Sequence, residues 1–273
     1  MLSLRDIAIL EEARQARGTV EVGWESEQIA GGSMTFAGEG SWANQACGLG
    51  LQGPVADDKL DRLVDFYVSR GVEPRIEVCP FADETLIAGL SRRGFELREF
   101  ENVLARRLTP DEDLRSLHPH GWPLDLTLVH VDPGDPAQVR TFVDVSTQGF
   151  RTDGEPLSAV YKAATTKMVE HVRCDSFLAR VNNIDVGGGA MESADRVAGL
   201  FGTSVAPAYR RKGIQAALIL RRLERARERG CELAVIHSQP GIATERNALR
   251  MRFFLAYTKV ILAMPGPGLV PSP

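Results

Sequence analysis

The sequence predicts an α/β fold of the mixed α+β-sheet kind, built as two tandem domains, and three observations carry that prediction. The first is an internal repeat: "RGVEPRIEVCPFADETLIAGLSRRGFELREFENVL" (70–104) lies against "RGCELAVIHSQPGIATERNALRMRFFLAYTKVIL" (229–262) almost without gaps. The second is the order of elements in the latter half, which reads β, α, α, three strands in a meander, then α, β, α, β. The third is size: 273 residues, 44% of them hydrophobic, are long for one domain and sufficient for two cores.

The chain opens on "MLSLRDIAILEEARQ", whose apolar residues recur at helical spacing among acids, unlike a cationic leader with an apolar middle. In each repeat copy a glycine, Gly71 or Gly230, follows a charged amphipathic helix where a left-handed C-cap belongs. A β-prone run, "RIEVCPF" or "LAVIHS", comes next. Between the copies "LTPDEDLRSLHPHGWPLD" has the proline and glycine content of a linker. We therefore expect a first domain over 1–108, a linker over 109–124, a second domain over 125–264 and a disordered tail over 265–273, where "PGPGLVPSP" offers little to bury.

In the second half "LDLTLVHV" reads as a strand. In "GDPAQVRTFVDVSTQGF" Asp135 supplies an N-cap and Pro136 the first helical residue. "PLSAVYKAATTKMVEHVR" reads as a second helix, "DSFLARVNNIDVGGGAM" as two strands about an Asn182-Asn183 turn, and "RVAGLFGTSV" as a third strand. Then comes "VAPAYRRKG". The apolar stripe through Ile214, Leu218, Leu223 and Ala226 starts a helix near Gly213, so Arg210, Arg211 and Lys212 stand at a helix N-terminus. Unpaired N–H groups, full positive charges and a glycine that admits close approach together make a pyrophosphate cradle. The pattern is neither GxxxxGK(S/T) nor GxGxxG, which counts against a nucleoside triphosphate or a dinucleotide. The downstream arginines at 221, 222, 225, 227 and 229 are interleaved with Glu224 and Glu228, as the loop's are not.

Composition excludes several classes. Lys plus Arg is 32 against 36 for Asp plus Glu, a net charge of −4, which disfavours broad attachment to nucleic acid or anionic membrane. No apolar run is long enough for a bilayer, and a cytoplasmic protein is expected. Cys47, Cys79, Cys174 and Cys231 lack metal-ligand spacing, so we expect buried thiols, no metal site and no disulfide framework.

Val205, Pro207, Arg210 and Gly213, standing between a strand and a helix, make this segment resemble the GNAT superfamily of acetyl-CoA-dependent N-acetyltransferases. The family pattern is a strand ending V-x-P, then R/Q-x-x-G-x-G/A, then a helix; here Gln215 replaces the final Gly or Ala. "ERNALRMRFFLAY" resembles the family's second helix leading into its last strand, and the likeness covers roughly 125–264. It implies two tandem GNAT-like domains, each a mixed, mostly antiparallel sheet with helices on both faces. It also implies acetyl-CoA as co-substrate, bound by Ser204, Val205, Arg210, Arg211, Lys212, Gly213, Ile214, Gln215, Ala216 and Asn247. The pantetheine would lie along "GTSV", with the thioester carbonyl polarised by a main-chain N–H near Ser204 or Val205.

The implied reaction is direct attack by a primary amine of a small or amino-acid-like acceptor; a non-catalytic acyl-CoA-binding or sensing protein is the alternative. The tyrosine that family members often use as acid is Ala248 here, with Arg252 in the place of the glycine before Phe253. Candidate acids and bases are His237 and Ser238 at a strand end, Glu192 at a strand turn and Tyr257 in the last strand. In the first copy 17 positions separate Pro54 from Gly71, against 23 from Pro207 to Gly230, and Asp57 and Asp58 replace the basic loop. That copy is expected to bind no cofactor, packing instead on the second domain and helping to shape the acceptor site. A homodimer is left open.

Overall fold

Local signals set the helix ends in the computed structural model, which describes residues 2–118, 121–148 and 158–272. Helix α1 (Leu4–Val22) begins with a capping box in which Ser3 and Asp6 satisfy each other's backbone N–H. Strands β1 (Glu25–Ile29), β2 (Gly32–Phe36) and β3 (Gln45–Cys47) follow, then α2 (Asp57–Val68), β4 (Arg75–Val78), α3 (Glu84–Arg92) and β5 (Glu96–Arg107). The second half runs β6 (Leu126–His130), α4 (Pro136–Thr147), α5 (Ala159–Val169), β7 (Cys174–Val181), β8 (Ile184–Ala194), β9 (Val197–Val205), α6 (Ile214–Glu228), β10 (Leu233–Ser238), α7 (Ala243–Arg250) and β11 (Phe254–Ala263). Asp135 caps α4 with Pro136 behind it, Asn182 and Asn183 form the β7–β8 turn at positive φ, and Gly71 and Gly230 are left-handed, each as its sequence position requires.

Two compact units result. The first comprises Met1–Val103, Ser158–Ala164 and Leu255–Pro273. Its strands are ordered β1-β2-β3-β4-β11-β5, with β3 and β4 parallel and β11 antiparallel to β4. Met34, Leu60, Leu63, Phe66, Tyr67 and Ile76 form its apolar core. The second comprises Leu104–Leu157 and Thr165–Phe254. There the end of β5 is followed by β10, β9, β8, β7 and β6; β10 and β9 are parallel, and β9 with β8, β8 with β7 and β7 with β6 are antiparallel. α6 packs on β8 and β9, and its apolar stripe joins Leu104, Met191, Leu200 and Ile236.

The units divide the chain elsewhere than the boundaries at 108, 125 and 264 do. β11 belongs to the first unit because of what it buries. Lys259, with no solvent exposure, donates to Glu77 (2.8 Å) and Gln15 (2.6 Å) and lies 3.0 Å from Glu12. A buried ammonium without those carboxylates would cost several kcal/mol. Among the described residues of 109–124, Leu114 is buried in the second unit's core, and the Arg227 guanidinium gathers the carbonyls of Thr109, Pro110 and Glu112. The tail is not disordered over its described residues. Val270 accepts from the Glu73 N–H and donates to the Gly71 carbonyl, closing a bridge with Val72. All four cysteines are free and buried, and burial raises their pKa values, so they are inert as thiolates. No described helix is long and apolar enough to cross a membrane.

Candidate functional site

The N-terminus of α6 gathers uncapped N–H groups and three cationic side chains. β9 ends at Val205, Pro207–Tyr209 makes one 3-10 turn, and Arg211 then adopts φ +62°. That left-handed backbone is uncommon for a side-chain-bearing residue and turns the chain sharply. Gly213, at φ +79°, is the N-cap of α6 and leaves that helix without a side-chain cap. The first-turn N–H groups therefore keep their directed partial charge. Arg210 donates from Nε to the Val205 carbonyl (3.0 Å), which ties the loop to the strand end, and Lys212 lies over the Tyr209 ring at 5.0 Å. Arg210, Arg211 and Lys212 are exposed and have no acidic partner among the described residues, and no acid stands in the first turn of α6.

Behind the loop sits a residue that sequence reasoning assigned to the linker. His118 is buried, and its Nε2 lies 3.0 Å from the Gly213 carbonyl. A Cβ on Gly213 would stand 2.7 Å from His118 Cε1. Glycine is thus required twice at 213, for its φ and for this approach. The family-atypical Gln215 also has a structural role: it accepts from Asn247 Nδ2 (2.6 Å) and donates to Thr244 Oγ1 (3.3 Å), joining the first turn of α6 to α7. Ser204 is buried in β9, and Ile214 and Ala216 are buried at the helix start.

The proposed acid–base residues lie on three strands, β8, β10 and β11. His237 and Ser238 end β10 as expected; His237 is half-buried, and the buried Ser238 hydroxyl donates to the Gln239 carbonyl (3.1 Å). Glu192 is not a turn residue but lies buried inside β8, 2.7 Å from Arg173. Tyr257 lies in the first unit, and its hydroxyl is buried rather than at the surface, donating to Glu12 (2.8 Å). Burial first, then the charge of Glu12, pushes its pKa upward. Ala248 and Phe253 are both core residues.

The later arginines differ in their partners. Arg221 meets Glu224 and Glu228, and both Arg225 and Arg229 hold the buried Asp175. Arg222, by contrast, is fully buried beneath β8 and β9. The signal was available: Ile214, Leu218 and Arg222 are spaced by four, so the arginine occupies the apolar stripe. His118 had no such signal, because no periodicity links it to Gly213.

In the first unit the corresponding helix, α2, starts with Asp57 and Asp58 and also lacks a side-chain cap. Arg92 (2.9 Å) and Arg93 (2.8 Å) bind Asp57, whose pKa their hydrogen bonds hold below the usual carboxylate range.

A model of the acetyltransferase (GNAT) family matches residues 147–247, which include β7 to β10, the basic loop and most of α7. No curated protein matches the chain in sequence. Among solved structures, the chain is similar to a GCN5-related N-acetyltransferase from Kribbella flavida, at 18% identity over 96% of this chain and 97% of that one, with a TM-score of 0.71. It is also similar to a tandem GNAT protein from the clavulanic acid biosynthesis pathway, at 13% identity over 92% and 86%, with a TM-score of 0.62. A conserved protein of unknown function from Staphylococcus epidermidis shares 11% identity over 87% and 92%, with a TM-score of 0.58. At these identities the likeness is one of fold. The solved structures show that the chain has the GNAT fold, and it is residues 147–247, with the loop and its helix, that are similar to the GNAT family of acetyltransferases.

Proposed function

We propose that the protein transfers an acetyl group from acetyl-CoA to a primary amine of a small or amino-acid-like acceptor. The observation that carries this reading is the uncapped N-terminus of α6, opened by left-handed Gly213 and flanked by Arg210, Arg211 and Lys212 with no acid in its first turn. The pyrophosphate would accept from the N–H groups of Ile214, Gln215 and Ala216 and from the three cations. The pantetheine would follow Thr203 to Val205 of β9, and Asn247, already bound to Gln215, would stand beside it. The amine nitrogen then attacks the thioester carbon, the C–S bond breaks, and the sulfur leaves with the electron pair. The carbonyl oxygen gains negative charge on the way, and a main-chain N–H at Ser204 or Val205 is the donor proposed to face it.

His237 is the proposed proton acceptor, because an imidazole can accept a proton near neutrality and the residue stands beside Ser238 at the end of β10. Glu192 is engaged by Arg173, and Tyr257 is buried against Glu12, so both are poorer choices. Ala248, buried where family members often carry tyrosine, favours a second reading: an acyl-CoA-binding module without turnover. Acetyl-CoA incubated with a panel of primary amines, with free thiol as the readout, separates the two. Transfer predicts amine-dependent thiol release; CoA binding without release under any amine supports the second reading. Within an active enzyme His237→Ala should lower kcat/KM by about 10²- to 10⁴-fold, and a change under about threefold would remove the residue from the mechanism.

A further inference from the structure

β8 and β9 pair regularly from Ala194↔Val197 to Ala190↔Phe201 and again at Gly188↔Ser204 and Gly187↔Val205. Between these stretches one residue, Gly189, faces two, Gly202 and Thr203. This is a bulge, with Gly202 at φ +59°. The bulge is filled from below by Arg222 of α6. Its Nη1 donates to the carbonyls of Ala190 (2.9 Å) and Phe201 (3.1 Å), its Nη2 to Thr203 Oγ1 (2.7 Å), and its Nε to the Leu218 carbonyl (2.9 Å). The guanidinium can approach this closely because residue 189 has no side chain: a Cβ there would lie 3.1 Å from Arg222 Cζ.

The charge is the unusual part. Arg222 is 1% exposed, and among the described residues no carboxylate pairs with it. Desolvation is the only influence on its pKa, lowering it to about 9, so the group keeps its proton at neutral pH. A buried cation held only by carbonyls and one hydroxyl opposes folding, and an apolar side chain of like volume would fill the space without that cost. What the guanidinium does, and an apolar side chain cannot, is bond both strands where their own ladder is broken, and place a fixed positive charge in a low-dielectric position behind Thr203.

Resting on the reading that acetyl-CoA lies along β9, we infer that Arg222 is a positioning residue for acetyl transfer: it fixes the β8–β9 bulge, so that a main-chain N–H at Ser204 or Val205 is presented to the thioester carbonyl, and its charge favours the oxygen as it becomes negative. Preorganised donors and charge of this kind act on the transition state more than on ground-state binding. The step involves no covalent change at Arg222.

The test uses the full chain and [1-¹³C]acetyl-CoA. A titration gives the affinity, and the carbonyl resonance of the bound thioester reports its polarisation. Wild type should bind and shift that resonance from its free position. Arg222→Met should bind within about threefold of wild type, return the resonance toward the free value, and lower amine-dependent thiol release by roughly 10- to 100-fold. Arg222→Lys, which keeps the charge, should recover part of both effects. Should Arg222→Met fail to fold, Thr203→Val, which removes one partner at nearly constant volume, should move the resonance in the same direction by less. An unmoved resonance with turnover within about threefold of wild type in Arg222→Met, or an unmoved resonance in Thr203→Val, overturns the role given to Arg222 and leaves the coenzyme reading standing. Absence of acetyl-CoA binding by wild type overturns the coenzyme reading itself, and this inference with it.

Discussion

Arg210 and Arg225 are both arginines of one short segment, yet the structure gives them different tasks. Arg210 lies in the loop, with Nε on the Val205 carbonyl and no acidic partner among the described residues, so Arg210→Ala should weaken CoA binding by about 1.5–3 kcal/mol, or roughly 10- to 150-fold by calorimetry. Arg225 lies on α6 against Asp175 (2.8 Å) and Glu228 (2.9 Å). Its removal should leave CoA affinity unchanged while lowering stability by about 2 kcal/mol in chemical denaturation, since a hydrogen bond to a charged, buried carboxylate is lost. Asp175 also sets a pH dependence. Burial raises its pKa, but hydrogen bonds and charge from Arg229 and Arg225 outweigh this and hold it below the usual carboxylate range. A carboxyl depressed in the folded state adds stability above its unfolded pKa, about 3.9, and loses that contribution as pH falls through the folded value. Denaturation midpoints should therefore fall on acidification below about pH 4, and Asp175→Asn should flatten that fall. Ala248 tests the restored family acid. It has no exposure, so Ala248→Tyr should overpack the core and destabilise by at least about 1–3 kcal/mol rather than supply an acid.

At the scale of elements, the loop between β9 and α6 depends on Gly213. Gly213→Ala places a Cβ 2.7 Å from His118 Cε1 and a side chain at φ +79°, which costs about 1–2 kcal/mol from the backbone alone. His118→Ala should relieve the contact but not the backbone strain. Gly213→Ala combined with His118→Ala should therefore be more stable than the sum of the single losses requires, and strict additivity in a double-mutant cycle would show that the two do not press on each other. The helices and strands around this loop were legible in the sequence because their signals are local: Asp135 before Pro136, Asn182-Asn183 between alternating runs, and an apolar stripe beginning at Ile214. The elements that were misread depend on partners distant in the chain. Lys259 determines where β11 goes by meeting Glu12 and Glu77, Arg227 fastens a proline-rich stretch that resembles a linker, and Glu192 looks solvated until Arg173 is placed beside it. The basic loop was visible because charge and glycine spacing are linear features. The His118 support behind it and the pairing of Gln215 with Asn247 were not.

For the whole molecule the two repeats share the strand, helix, strand ending, yet fold does not decide function. Both α2 and α6 start without a side-chain cap, so the difference between them is charge: Asp57 and Asp58 on one, and Arg210, Arg211 and Lys212 on the other. A helix terminus contributes only about 0.3–1 kcal/mol toward an anion, which two neighbouring carboxylates offset. The central claim is that each chain binds one CoA, at the N-terminus of α6. Calorimetric titration of the full chain with CoA tests it most directly. The account predicts a stoichiometry near one, and loss of the whole signal in Arg210→Ala combined with Lys212→Ala. A stoichiometry near two, or a binding isotherm that survives the double substitution, would contradict it.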